Sequence, residues 1–116
     1  MTINEFVKKY NLHDSLMEDI KYDSNSKTIK FIVDFCYWQQ DDYREEMPET
    51  GLIIIEFSGN VELSYIPYHI NSDEIIRVFL SESNTLHLIV FNDLSEESHE
   101  IIVKADDVSV KEFSKQ

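Results

Sequence analysis

The sequence predicts an α+β fold: one short N-terminal helix packed on a mostly antiparallel sheet of about seven strands, a β-meander of hairpins. Three observations carry this expectation. A helix-capping box opens the chain, the apolar period switches from 3.6 to 2 near Leu16, and polar turn clusters then recur at short intervals. With 116 residues there is room for one core, so a single domain over 1–116 is expected. A domain of this size buries roughly 60–70% of the surface its unfolded chain exposes, enough for stability without cross-links.

Thr2-Ile3-Asn4-Glu5 has the capping-box pattern, a Thr at the N-cap and a Glu three residues on. Ile3, Phe6, Val7 and Tyr10 then fall at i, i+3, i+4 and i+7, one stripe of a helix over residues 3 to 10. Lys8 and Lys9 sit in the last turn, where the helix dipole favours cations, and Asn11 is a candidate left-handed residue after it. So short a helix is unstable alone and must dock on something.

From Leu16 the pattern is that of strands. Leu16, Ile20 and Tyr22 alternate with polar neighbours, and Asp23 to Lys27 makes a turn. Ile29, Phe31, Val33, Phe35 and Tyr37 share one face of a long hairpin partner; Cys36 and Trp38 lie on the other, where something should cover them. Residues 39–50 are acidic, contain Pro48 and read as a surface loop. Leu52 to Phe57, apolar on both faces apart from Glu56, reads as a central strand. Ser58-Gly59-Asn60 is expected to turn the chain so that Val61, Leu63 and Tyr65 return as its hairpin partner, ending at Pro67. Residues 74–80 suit either a helix face or a strand. The strand is preferred, because Glu82-Ser83-Asn84 makes a turn and Leu86, Leu88 and Val90 then alternate. Residues 92–100 form a second acidic loop, followed by short strands at 101–103 and 108–113. With only two glycines, Asn must serve some of the tight turns.

Composition decides which functions to discard. Twenty-three acidic residues stand against ten basic ones, a formal net charge of -13. That charge repels nucleic-acid phosphates and anionic membrane surfaces and attracts basic partners. No basic stripe is present to neutralise phosphates, so nucleic-acid binding is not expected. No uninterrupted apolar run exceeds four residues, as in Leu52 to Ile55, far short of a membrane span. The N-terminus lacks the charged and apolar regions of a secretory signal, and Cys36 is the only cysteine, so the expectation is a cytoplasmic protein without disulfides.

No nucleophile elbow, phosphate loop or zinc-ligand spacing occurs, and the reading assigns no catalytic residue, metal or cofactor. His13-Asp14-Ser15, between helix and first strand, comes nearest to a motif. It reads either as a general base or metal ligand beside a carboxylate, or as a turn whose Asp and Ser satisfy backbone N–H groups while His13 packs at the edge. Neighbours in an extended chain point to opposite sides, so His13 and Asp14 are not expected to share a site. His69, His87 and His99 are scattered, with His87 on the outward side of its strand. Cys36, flanked by Phe35 and Tyr37 with no basic neighbour, reads as a buried structural thiol. Asp41, Asp42, Glu45 and Glu46 lack the glycine turn and ligand spacing of a calcium loop. They read as a solvated loop or as half of a docking patch, with Trp38 and Tyr43 as aromatic interface candidates beside them.

Leu12-His13-Asp14-Ser15-Leu16, then Ile20-Lys21-Tyr22-Asp23 and a strand ending Phe35-Cys36-Tyr37-Trp38, resembles the opening of a loose group of small bacterial domains. In these a short helix leads through "HDS" into a β-meander, and some members are assigned as immunity proteins in toxin–immunity loci. The likeness covers about the first third of the chain and rests on a three-residue central motif. It implies an α+β domain, a bacterial cytoplasmic setting and toxin neutralisation, and it transfers no catalytic residue.

Two functions of different class follow. The first is a non-catalytic binding protein, of immunity or antitoxin type, whose acidic surface docks a basic protein partner through Trp38, Asp41, Asp42, Tyr43, Glu45 and Glu46. The alternative is a small enzyme or ligand-binding domain using His13 and Asp14, which a pocket holding His13 with another His or carboxylate would favour. No oligomeric state is assigned.

Overall fold

The computed structural model describes residues 1–82 and 84–112. Helix α1 (Ile3–Lys9) is followed by strands β1 (Leu16–Asp23), β2 (Thr28–Cys36), β3 (Thr50–Ser58), β4 (Glu62–Ser64), β5 (Asp73–Glu82), β6 (Thr85–Asn92), β7 (Glu97–Lys104) and β8 (Asp107–Glu112). The strands form one sheet in the order β4-β7-β6-β5-β1-β2-β3-β8, with every pair antiparallel. The architecture is therefore α+β and mostly sheet, with eight strands among the described residues where about seven were expected. The 74–80 segment is a strand. Ser83 in the predicted turn and Phe113 in the predicted last strand lie outside the described residues.

Alternation along the strands builds the core. In β2, Ile29, Phe31, Val33 and Phe35 are buried while Lys30, Ile32 and Asp34 face outward. Their neighbours Ile53, Ile55 and Phe57 of β3 are equally buried, and Phe31 meets Phe57 edge to face at 4.9 Å between centroids. Leu86, Leu88 and Val90 of β6 with Ile101 and Val103 of β7 belong to the same apolar cluster. Each such side chain contributes about 1.5–3 kcal/mol when fully buried, so one inward face specifies register throughout.

Helix α1 seals this core. Thr2 Oγ1 accepts from the Glu5 N–H (3.1 Å) and Glu5 Oε1 accepts from the Thr2 N–H (2.8 Å), completing the capping box. Ile3 and Phe6 are fully buried, and Val7 and Tyr10 pack at the margin. The terminal amino group donates to Asp107 Oδ1 and Val108 O of β8, and the Val108 N–H returns a bond to Met1 O. Asn11 is not the left-handed cap expected of it. The helix ends at Tyr10 in extended conformation, and the Asn11 side chain instead accepts from the His13 N–H.

The expected hairpin between the strand at 52–57 and the return at 61–65 does not form. β4 pairs with β7, and β3 pairs with β2 and β8. The ladder runs from Ser58↔Asp107 to Glu62↔Lys104, so residues 59–61 lie opposite 105–106 at a corner. There Gly59 has φ +77°, and a Cβ on it would lie 2.8 Å from Asp106 Cβ. The Asp106 N–H donates to Ser58 O and Gly59 O, while Asn60 Nδ2 donates to Asp106 Oδ2. The long β3/β4 and β7/β8 segments thus bend together, which closes the sheet on itself and lets both halves share one core. Among the described residues Asn60 is the asparagine given a positive φ, and Asp14, Lys27, Ser72 and Glu96 take it as well. The second acidic loop shrinks to residues 93–96, because Glu97 to Glu100 pair with β6.

On the other side the two halves meet in a narrow seam. β1 and β5 pair only at Leu16↔Glu74 and Met17↔Asp73. Beyond this the Asp14 N–H donates to Ile75 O (2.9 Å) and the Ile75 N–H donates to Ser15 O (2.8 Å).

Two substitutions test this account. Phe6→Ala should lower the unfolding free energy by about 3 kcal/mol or more through lost burial and the cavity left behind; a loss under about 0.5 kcal/mol in urea melts, below any core truncation, would make α1 a frayed appendage. Gly59→Ala should cost on the order of 1–3 kcal/mol from the strained corner, and an unchanged midpoint would remove the corner from the fold's requirements.

Candidate functional site

The sequence-predicted docking residues follow β2. That strand ends at Cys36, and Tyr37–Gln39 form a single 3₁₀ turn, so Trp38 is not on the second strand face where it was expected. The turn drives adjacent side chains apart. Tyr37 goes inward, edge-to-face on Phe35 at 5.2 Å, with its hydroxyl donating to Glu112 Oε1 at 2.8 Å. Trp38 goes outward and is 48% exposed. The cover expected over Cys36 and Trp38 reaches only Cys36, which is buried with its thiol pushed up by desolvation.

The turn is tied down on both sides. Gln40 Nε2 donates to Cys36 O (2.8 Å) and Asn11 O (2.9 Å), and its Oε1 accepts from the Asn11 N–H (2.9 Å). The Trp38 N–H donates to Glu49 O (3.2 Å), closing the neck of the loop. Within that loop Tyr43 and Met47 pack against the core, so Tyr43 is half-buried, while Asp41, Asp42, Glu45 and Glu46 are exposed. Arg44 Nε lies 3.1 Å from Glu46 Oε1, both groups in solvent, where such a pair contributes little.

A groove of about 520 Å³ runs between the end of α1 and this loop. Tyr10, Phe35 and Tyr37 form one wall, with ring centroids 5.8 Å and 5.2 Å apart in succession. Lys8 and Lys9 line one side; Asp41, Asp42 and Glu112 also border it. Burial, and then the charges of Glu112 and Asp42, push the Tyr10 phenol up. Burial, and then the bond to Glu112 and its charge, push Tyr37 up to about 12.

His13-Asp14-Ser15 occupies the seam between the two half-sheets. His13 and Asp14 do meet, contrary to expectation, with Nδ1 3.3 Å from Oδ1. The reason is Asp14's φ of +69°, which breaks the extended geometry that would have separated them. Asp14 Oδ2 accepts from Gln39 Nε2 (2.8 Å), and the neighbouring Asp14 carboxyl, with burial, holds the Glu74 carboxyl above the usual range. Ser15 is fully buried, and its Oγ accepts from the Cys36 N–H (2.9 Å). Neither His13 nor Asp14 lines the 520 Å³ groove.

Of the remaining histidines, His69 and His99 border one shallow pocket beside Tyr68 and Glu97, while His87 does not line it. His87 faces outward, stacked on Phe79 and bonded to Glu100 (2.9 Å) and Ser81 (2.8 Å). His99 stacks on Tyr68 at 3.8 Å. Among the described residues no group of three or more His, Cys, Asp or Glu side chains is placed to hold a metal ion. Among them, too, no helix is long and apolar enough to cross a membrane.

Sequence reasoning missed a buried polar cluster beside the seam. Asp73, fully buried, accepts from Asn92 Nδ2 (2.8 Å) and from the Tyr68 hydroxyl, and Asn92 Nδ2 also donates to His69 O (2.9 Å). Burial, and then Asp73, push the Tyr68 phenol up. An Asp heading one apolar strand and an Asn closing the next were the available signal.

Ser15→Ala leaves the Cys36 N–H without its acceptor in the interior, and the expected cost is about 1–3 kcal/mol in urea melts; a neutral change would show the hydroxyl is not needed there. Tyr37 and Tyr68 both have phenols raised above the ordinary 10.0, so their stabilisation is complete below pH 10 and is lost as pH rises toward the Tyr37 value of about 12. Melts across that window should therefore show falling stability, with a shallower fall in Tyr37→Phe. An equally steep fall in the variant would assign the effect elsewhere.

Comparisons with family models, with curated proteins and with solved structures found no match to this chain.

Proposed function

We propose that this chain is a non-catalytic binding protein that docks a basic protein partner through Trp38 and the loop that follows it. One observation carries the reading. Trp38 is 48% exposed on a turn that hydrogen bonds secure at both ends, directly before the exposed acids Asp41, Asp42, Glu45 and Glu46. A large aromatic in solvent is an interface anchor when its backbone is already fixed, because little ordering entropy is left to lose on binding. The acids around it form a negative rim, and the net charge of -13 extends that field over the molecule. Tyr43, half-buried beneath the loop, supports the rim.

The resemblance to small bacterial immunity-type domains supports a specific form of this reading. In that form the partner is a basic, nuclease-like toxin, and binding neutralises it. The second reading, a small enzyme or ligand site at His13 and Asp14, draws on their 3.3 Å approach beside Glu74. The same groups have structural work at the seam, and the groove lies elsewhere, so docking is the better-supported function.

The test is a pull-down from the native host followed by binding kinetics with the basic protein it recovers. Reversing the charges of Asp41, Asp42, Glu45 and Glu46 should lower the association rate by about tenfold or more through lost steering. Trp38→Ala should act on dissociation, at about 2 kcal/mol. His13→Ala should change neither rate. Association as fast as wild type in the charge-reversed protein would overturn the proposed surface, and loss of binding in His13→Ala would favour the second reading.

A further inference from the structure

We propose that the groove between the end of α1 and the 41–49 loop seats an arginine side chain of the basic partner; this deepens, and rests on, the docking reading above. The groove adjoins the Trp38 turn, since Gln39 and Gln40 line it. At about 520 Å³ it is of the size that takes small ligands and single side chains.

Its chemistry is that of a cation seat. Tyr10 is half-buried, with one face stacked on Phe6 and with Phe35 and Tyr37 buried behind it. It turns its other ring face toward the groove, and the quadrupole of that face attracts positive charge. A cation is already there: Lys9 Nζ lies 5.6 Å from the centroid of the Tyr10 ring. Asp41, Asp42 and Glu112 supply the anionic side, and after burial the charges of Glu112 and Asp42 add to the upward pressure on the Tyr10 phenol.

These features select arginine over lysine. A guanidinium is planar, so it stacks on an aromatic face while its fork of N–H donors meets a carboxylate, and it sheds water more readily than an ammonium. Lys9 is exposed on the last turn of a seven-residue helix, free to swing into solvent. It acts as a place-holder that keeps the cation seat filled until the incoming guanidinium displaces it.

The experiment titrates the isolated protein with Nα-acetyl-arginine methylamide and follows backbone amide shifts by NMR, with Nα-acetyl-norleucine methylamide as the uncharged probe. The arginine probe should shift Tyr10, Asn11, Gln40, Asp41 and Asp42 at millimolar concentration, and the norleucine probe should leave them in place. Lys9→Ala should tighten arginine binding about threefold by removing the competing cation. Asp41→Asn with Asp42→Asn, both exposed loop positions, should weaken it about fivefold or more. Glu97→Gln, remote on β7, should leave it unchanged. Shifts spread evenly over acidic residues of the whole sheet, equal shifts with norleucine, or weaker binding in Lys9→Ala would each overturn the proposal. No partner enters this titration. If the probe seats in the groove while partner association ignores the loop charges, the groove stays a guanidinium seat but its assignment to the partner falls with the docking reading. If the probe fails to seat, the groove assignment falls and the docking reading stands.

Discussion

Two backbone hydrogen bonds between Ile75 and the Asp14–Ser15 pair are the constraint on which the rest of the structure depends. β1 and β5 share only two further residue pairs, so this short seam joins one half-sheet, β1-β2-β3-β8, to the other. A positive φ at Asp14 lets the chain leave α1 and enter β1 while presenting consecutive backbone groups to Ile75. The buried Ser15 hydroxyl then holds the end of β2 through the Cys36 N–H. The His13-Asp14-Ser15 triplet, read from the sequence as either a site or a turn, is thus a joint of the fold, and the segment carrying Trp38 begins at the Cys36 that Ser15 holds.

Opposite the seam the sheet is closed by different physics. At the corner the β3/β4 and β7/β8 segments bend together, and the approach of Gly59 to Asp106 leaves no room for a Cβ. Closure matters to a chain this acidic. Carboxylates crowd the outside and repel one another, so cohesion must come from an apolar interior shared by every strand. The buried Asp73 is tolerated because Tyr68, Asn92 and the Asn71 N–H all donate to it.

The surface proposed for docking takes its position from these elements. Gln40 spans from the chain after α1 to the end of β2, so Trp38 is held relative to both helix and sheet. Beneath the loop, the Tyr10–Phe35–Tyr37 wall runs from the core toward the groove, and Glu112 of β8 meets it at the Tyr37 hydroxyl. One surface thus draws on α1, β2, β8 and the loop, elements far apart in sequence.

What the sequence by itself determined is whatever depends on near neighbours. The capping box and apolar stripe of α1, the inward face of β2, the β5–β6 hairpin and the exposure of the loop acids are all set by side-chain periodicity and turn chemistry within a few residues. The tertiary structure decided everything that needs two distant segments to meet. Ser58-Gly59-Asn60 has local turn chemistry, yet contact with Asp106 makes it a corner that sends β4 to β7 instead of back to β3. His13 and Asp14 should diverge in an extended chain, yet pairing with Ile75 holds Asp14 at the positive φ that brings them together. The long strand ends at Cys36 because Gln40 and Glu49 capture the backbone there, and that alone turns Trp38 outward. Local pattern fixes which face of an element is apolar; only the packed interior decides which face it meets.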